Sequence, residues 1–355
     1  MERLQVNIPG STAYEVMIAD GLRRELNEYI ADSYSSILII ADRHVADLYM
    51  DDIKTALKTR GNIFCKIIPP GEGTKSMEWY GRLLDYCISC NMDRKSLIIA
   101  LGGGMTGDLA GFVASTYLRG ISYIQMPTSI LAHDSSVGGK VAINHKAGKN
   151  LIGAFHHPDK VLYDTEMIDS LPLKEKRSGY GEVVKHALLS DKGWFDELMD
   201  RELTELENHK AARDLIRGIR LKASIVEQDE KEAGMRKYLN LGHTLAHAIE
   251  TELDYGSVTH GEAVVIGTVF ALFLSGMEEE RNRLLVWADN NGYPLEVVGE
   301  LDERKLLEHM KRDKKAERGK INYVLLQAFG SPYVSHIEED ELLHALKQFK
   351  NEVIE

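Results

Sequence analysis

Three short, nearly continuous apolar runs constrain this chain more than any other feature: Ile37–Ala41, Ile63–Ile68 and Ser96–Leu101. Amphipathic segments of helical period separate them. A strand that is apolar along its length must be covered on both faces, so such runs alternating with helices predict a parallel sheet flanked by helices. Ligands bind such sheets beyond the carboxyl ends of the strands. All three runs end in suitable residues: Asp42, the turn Gly71-Glu72-Gly73-Thr74-Lys75, and Gly102-Gly103-Gly104-Met105-Thr106-Gly107-Asp108. The last lies between a strand and a helix expected to begin near Thr106, where free amides and the positive helix end favour a pyrophosphate. Tight packing of that helix on the sheet would call for the same glycines. Asp42 is placed to bind one ribose hydroxyl and Glu72 with Lys75 another, so the three strand ends together suggest a dinucleotide. Ahead of them, the alternating stretches Leu4–Ile8 and Tyr14–Ile18, punctuated by Pro9-Gly10-Ser11, predict a hairpin.

The stretch Asp134 to Asn150 holds three lysines, a histidine, two asparagines and three glycines behind a single acid. A packed core does not tolerate that density of donors without partners, so it reads as a binding loop. Lys140 and Lys149 offer point charges to an anion, Asn150 an amide, and Gly138 and Gly139 a close approach to the main chain. A solvated glycine-rich turn has the same composition. Upstream, Arg119 before Gly120 is either a surface charge or a phosphate contact across a subunit boundary.

At 355 residues the chain suits two domains. We expect an α/β domain over residues 1–160 and a mainly helical one over 161–355, because the texture changes beyond Pro158 to long amphipathic helices. With 44% apolar and 28% charged residues it is a soluble globular protein, and its net charge of -12 argues against nucleic acid or an anionic membrane as partner. An anionic ligand must therefore be held by a local cluster of bases. Three cysteines do not make a disulfide scaffold and fit a reducing cytoplasm. Cys87 and Cys90, in a helical segment with no second pair, read as core. The N-terminus lacks a signal-peptide pattern. Ala263–Leu274, the longest apolar run, is too short to span a bilayer and reads as a buried helix.

In the second half Glu182 and Lys185 stand at i and i+3, a spacing that suits function or a surface ion pair. His243 and His247 lie one turn apart and His260 follows after a loop. Any single histidine can be a satisfied core residue. Three of them with a separate glutamate can form a three-ligand site with an open position, as in catalytic zinc centres. No His-Glu-x-x-His is present, which argues against a zincin-type protease. Lys222 precedes an acidic run, and the basic run Met310–Lys315 reads as a solvated helix end.

With these residues in place the chain resembles the 3-dehydroquinate synthase family of sugar phosphate cyclases, in its Bacillus-like form. The resemblance is carried by Gly102–Phe112, Gln125–Thr128, Asp134–Phe155, Gly181–Lys185, Leu239–His243 and His260–Ala263, and it covers nearly the whole chain. It implies a Rossmann-like α/β domain followed by a mainly α-helical one, and a cytoplasmic homodimer. It also implies a cyclase that uses NAD and zinc or cobalt on 3-deoxy-D-arabino-heptulosonate 7-phosphate. Matched by motif, Glu182, His243 and His260 resemble the metal ligands. Asp42, Glu72, Lys75, Gly103, Gly104, Asp108, Thr128 and Ser129 resemble the NAD contacts. Asp134, Lys140, Lys185, Lys222 and Arg236 resemble the residues holding substrate hydroxyls and carboxylate. Asn150, Asn240, His247 and one of Lys314 or Lys315 resemble the phosphate pocket, where Lys149 also belongs and to which Arg119 comes from the dimer partner. Three departures stand out: Ala132-His133-Asp134 is one residue shorter than the family's pattern, Val141 replaces a threonine, and Gly181 replaces an alanine. The competing readings are a cyclase acting on another sugar phosphate, a metal-dependent polyol dehydrogenase, and a non-catalytic nucleotide-binding protein.

Overall fold

The computed structural model describes residues 1–8, 13–253, 257–312, 316–317 and 320–354. They form two compact units, one of Met1–Leu171 with Asn208–Glu230 and one of Pro172–Glu207 with Lys231–Glu355. This division differs from a single cut at residue 160. The strand Lys160–Asp164 pairs with two other strands of the first unit, and the helix Asn208–Val226 packs on that unit's N-terminal strand and on its short helix Ala132–Ser135.

The strands of the first unit are β1 (Glu2–Val6), β2 (Tyr14–Ala19), β3 (Ile37–Asp42), β4 (Ile63–Ile68), β5 (Leu97–Gly102), β6 (Ser122–Pro127), β7 (Lys140–His145), β8 (Gly148–Phe155) and β9 (Lys160–Asp164). Of these, β7 and β8 form a separate two-stranded hairpin. The other seven make one sheet of order β1-β2-β9-β6-β5-β3-β4, with β1 antiparallel to β2 and every other pair parallel. The Pro9-Gly10-Ser11 turn lies outside the described residues, but β1 and β2 do pair antiparallel.

The alternation of a strand explains the apolar runs. Ile37, Ile39, Leu97 and Ile99 face a core shared with Met50 and Ile53 of the helix Arg43–Ala56. Leu38, Ile40, Ile98 and Ala100 face the opposite core, with Leu83 of the helix Met77–Ser89 and Leu109 and Val113 of the helix Gly104–Thr116. Side chains of both parities are thus buried. The strand order reverses between β3 and β5, since β3 leads outward to β4 and the chain then returns to the other side of β3. Asp42 and Gly102 therefore end neighbouring strands at a topological switch point, where such sheets bind ligands.

In the second unit the helices Leu173–Leu188, His243–Glu252 and His260–Leu274 pack against one another. Residues 263–266 and 269–272 of the last are fully buried, as expected for the longest apolar run. Strands β10 (Ala316–Glu317), β11 (Lys320–Ala328) and β12 (Ser331–Ile337) form an antiparallel sheet beside it. Glycines let these helices touch main chain to main chain. A Cβ at Gly181 would strike the Gly261 carbonyl, one at Gly261 the Ser178 carbonyl, and one at Gly267 the Gly242 carbonyl. Gly242 itself has φ +78°, a left-handed turn that admits the chain into the His243 helix.

Candidate active site

In each unit one polar cluster gathers the residues that the sequence singled out. In the first unit it gathers at the carboxyl ends of β3, β4, β5 and β6. The helix after β5 starts at Gly104, two residues before the expected start near Thr106, and its N-cap Gly103 offers no side-chain cap. Its first amides are therefore available to an anion. A Cβ at Gly104 would lie 3.0 Å from Ser135 Oγ and one at Gly103 would lie 3.3 Å from Ser129 Oγ, so the glycines keep this turn open. Thr128 donates its backbone N–H to the Gly102 carbonyl (3.1 Å), which sets Thr128 and Ser129 beside the same turn. The Thr106 hydroxyl is buried there without a hydrogen-bond partner among the described residues. Open amides, a bare backbone cradle and a spare hydroxyl fit a dinucleotide pyrophosphate.

Lys75 is buried against this turn. Its ammonium pairs with Asp108 and donates to Asn150 Oδ1 at 2.5 Å. Burial alone would lower the Lys75 pKa, but the charges of Asp108 and Glu72 outweigh it and hold the pKa above its usual value. Asn144, which nothing in the sequence singled out, ties these parts together. Its amide donates to Glu72 Oε1 (2.7 Å), its Oδ1 accepts from the Asn150 backbone (3.0 Å), and its own N–H donates to the Lys75 carbonyl (2.8 Å). Asn150 thus stands with Lys75 and Asp108. Asp42 caps the Arg43–Ala56 helix, accepting from Val45 N at 3.1 Å.

The Asp134–Asn150 stretch is mostly ordered structure. Asp134 ends up in the short helix Ala132–Ser135, Gly138 and Gly139 turn the chain with φ 100° and 65°, and β7–β8 follows. Asp134 Oδ2 lies 2.9 Å from the ammonium of Lys222, which is only 6% exposed. Val141 is a core residue whose side chain meets Gly111. Lys140 is exposed at the base of the hairpin and Lys149 half-buried in β8. Leu118 and Arg119 are exposed, and both adopt left-handed backbone angles, φ 51° and 73°.

The second unit's cluster lies on its three packed helices. Glu182 Oε1 is 3.2 Å from Nε2 of His243 and 3.2 Å from Nε2 of His260. These three side chains offer ligand atoms all within 4.8 Å of one another. Two imidazole nitrogens and a carboxylate oxygen converging in this way fit a divalent metal with an open position. Lys185 pairs with the same carboxylate, and both residues are about 1% exposed. Burial lowers the His243 pKa to about 4 despite Glu182, so this ring is a neutral donor. Burial would lower His260 as well, but the charge of Glu250 and the bonds to Glu182 and Glu250 raise it to about 10. The His247 ring stacks on His260 at 6.1 Å and meets His243 edge-on at 5.4 Å. Glu262, two residues after His260, completes a capping box with Thr259 and accepts from Arg177 Nε at 3.0 Å. Asn240 donates to Glu232 at 2.7 Å, and Arg236 is buried in the 3-10 turn Met235–Asn240. Lys314 and Lys315 lie outside the described residues.

Comparison with known proteins places these clusters in context. A family model described as 3-dehydroquinate synthase N-terminal matches residues 65–178, and one described as 3-dehydroquinate synthase C-terminal matches residues 179–316. The 3-dehydroquinate synthase of Halalkalibacterium halodurans is 48% identical over 336 residues, 93% of each chain. That of Geobacillus kaustophilus is 46% identical over 347 residues, 95% of each chain. Among solved structures, 2-deoxy-scyllo-inosose synthase complexed with carbaglucose-6-phosphate, NAD+ and Co2+ has a TM-score of 0.86 at 22% identity, covering 98% of this chain and 99% of that one. The 2-epi-5-epi-valiolone synthase of Streptomyces hygroscopicus with NAD+ and Zn2+ bound has a TM-score of 0.84 at 22% identity, covering 98% and 100%. Both share the fold.

Proposed function

Because the chain belongs to the 3-dehydroquinate synthase family, we propose that it converts 3-deoxy-D-arabino-heptulosonate 7-phosphate into 3-dehydroquinate and phosphate. The observation that carries this reading is the convergence of Glu182 Oε1 with Nε2 of both His243 and His260 at 3.2 Å. When bound, NAD takes and returns a hydride while zinc or cobalt polarises the reacting alcohol and ketone. Glu182, His243 and His260 hold the metal. Asp42, Glu72, Lys75, Gly103, Gly104, Asp108, Thr128 and Ser129 hold NAD.

The remaining residues handle a flexible, multiply anionic substrate. Lys140, Lys185, Lys222 and Arg236 bind its carboxylate and hydroxyls, with Asp134 fixing the Lys222 ammonium through their 2.9 Å pair. Lys149, Asn150, Asn240, His247 and Lys314 or Lys315 bind the phosphate. Once the C5 alcohol is a ketone, the adjacent C6 proton is acidic and phosphate leaves by elimination, the phosphate itself accepting that proton. After reduction the ring opens and the enol closes on the ketone in an aldol step. The cations hold the substrate in register throughout.

The active form is a homodimer in which Arg119 serves the neighbouring copy, a reading supported by exposed Leu118 next to Arg119 and exposed Leu151 and Phe155 on β8. Cytoplasmic residence is supported by three free cysteines. Among the described residues no helix is long and apolar enough to cross a membrane.

The test is phosphate release by purified protein with substoichiometric NAD and zinc or cobalt, offered the heptulosonate phosphate, sedoheptulose 7-phosphate and glucose 6-phosphate separately. Release from the first alone, over many turnovers per NAD and without net NADH, is expected. Release from a sugar lacking the carboxylate would assign another cyclase, and NADH accumulating without phosphate would assign a dehydrogenase.

A further inference from the structure

His243 and His260 each turn Nε2 toward Glu182, so each has Nδ1 left to be held from behind. For His243 the holder is main chain: its Nδ1 lies 3.2 Å from the Leu241 carbonyl. For His260 it is a side chain: Nδ1 lies 3.1 Å from Glu250 Oε2. Glu250 is 3% exposed, in the helix His243–Glu252. His243, His247 and Glu250 fall at i, i+4 and i+7 on that helix, one stripe of its surface.

We propose that Glu250 is a positioning residue for the metal centre: its carboxylate accepts the Nδ1–H of His260, fixing the tautomer and ring angle that present Nε2 to the metal. The inference rests on the metal reading of Glu182, His243 and His260 given above. A buried carboxylate is costly unless it is met by a cation or a donor, and a glutamine would fill the same volume. The imidazole N–H supplies the donor, and an anionic acceptor behind a metal-bound imidazole makes the ring a stronger ligand. His247, Glu250 and His260 also bring ligand atoms within 4.8 Å of one another. A second ion held there would need Nδ1 deprotonated on a ring whose Nε2 already faces the first. The hydrogen-bonded arrangement needs only the ordinary neutral imidazole.

The experiment is metal binding by the full chain, stripped of metal, as wild type, Glu250→Ala, Glu250→Gln and His243→Ala. Zn2+ is titrated against a competing chelator, Co2+ is followed by its visible absorption, and folding is checked by circular dichroism. Wild type should take one equivalent, and Glu250→Ala should bind Zn2+ about 10- to 100-fold more weakly. Glu250→Gln should recover part of the loss, because its amide oxygen still accepts the Nδ1–H. In Zn2+-loaded protein labelled with 15N-histidine, a slowly exchanging Nδ1–H of His260 should be present in wild type and absent in Glu250→Ala. If His243→Ala abolishes binding while Glu250→Ala binds as tightly as wild type, the metal site stands and the role of Glu250 falls. A second equivalent in wild type that vanishes in Glu250→Ala would overturn it too, making Glu250 a ligand. Wild type that takes no metal would remove the metal reading and this inference together.

Discussion

Replacing Lys75 by methionine tests the nucleotide-binding unit most sharply, because the ammonium is enclosed by groups that need it. The Lys75 side chain is 5% exposed and that of Asp108 16%, so solvent screens the pair little. Its Nζ also supplies a hydrogen bond to Asn150 Oδ1 at 2.5 Å. Removing one partner of a buried ion pair costs about 3–5 kcal/mol, since the other is left uncompensated. For a cooperative unit of 150–250 residues each kcal/mol moves the melting temperature by about 2–4 °C, so a fall of about 6–20 °C is expected. Replacing Asp108 by leucine as well should return most of that stability, because two apolar groups replace the whole pair. NAD binding should stay lost in both variants, so calorimetric melting and isothermal titration with NAD separate the two roles. A Lys75→Met protein that melts within about 2 °C of wild type, or a double variant no more stable than the single one, would refute the reasoning.

Asp42→Ala should cost about 1 kcal/mol through loss of the cap on Val45 N, and Asp42→Asn should keep the cap; NAD titration of the asparagine variant then reads the ribose contact alone, and unchanged stability of the alanine variant would contradict the cap. Below pH 10 the metal-free protein holds a proton on His260, whose pKa is raised to about 10, and that proton must leave Nε2 before a metal can bind. Binding at pH 8 should therefore release about one proton and strengthen as pH rises toward 10, whereas titration heats independent of buffer ionisation enthalpy would count against it. Lys140→Met should abolish phosphate release while leaving the fold intact by circular dichroism, because the lysine lies outside the core; normal turnover would remove it from the substrate contacts.

Much of the fold was legible because burial on both faces leaves a plain trace. The three apolar runs lie within a residue of β3, β4 and β5. Ligand chemistry limits the residue types that can serve a metal, so the residues alone pointed to His243, His247, His260 and a glutamate, and the resemblance narrowed these to Glu182, His243 and His260, which the structure brings together. Other parts were not legible. The β7–β8 hairpin lies in a stretch whose glycines and lysines break the strand alternation, so it read as a loop. The helix after β5 begins two residues early because anion-ready amides and close packing favour glycine where helix propensity does not. The helix Asn208–Val226 returns to the first unit through packing that no local pattern records. Asn144 left no signal, being one amide in a polar run. Glu250 did leave one: it follows His247 at i+3 on the helix that carries His243, a spacing that puts a carboxylate beside the histidines.

The glycine contacts among the three helices of the second unit carry a consequence for how this chain can change. Each proposed ligand is next to one of them in sequence: Glu182 follows Gly181, His243 follows Gly242, and His260 precedes Gly261. The gaps between ligand atoms are therefore set by main chain resting on main chain, like stops in a machined joint. A single methyl at Gly181 would act as a wedge against the Gly261 carbonyl and spread Glu182 from His260.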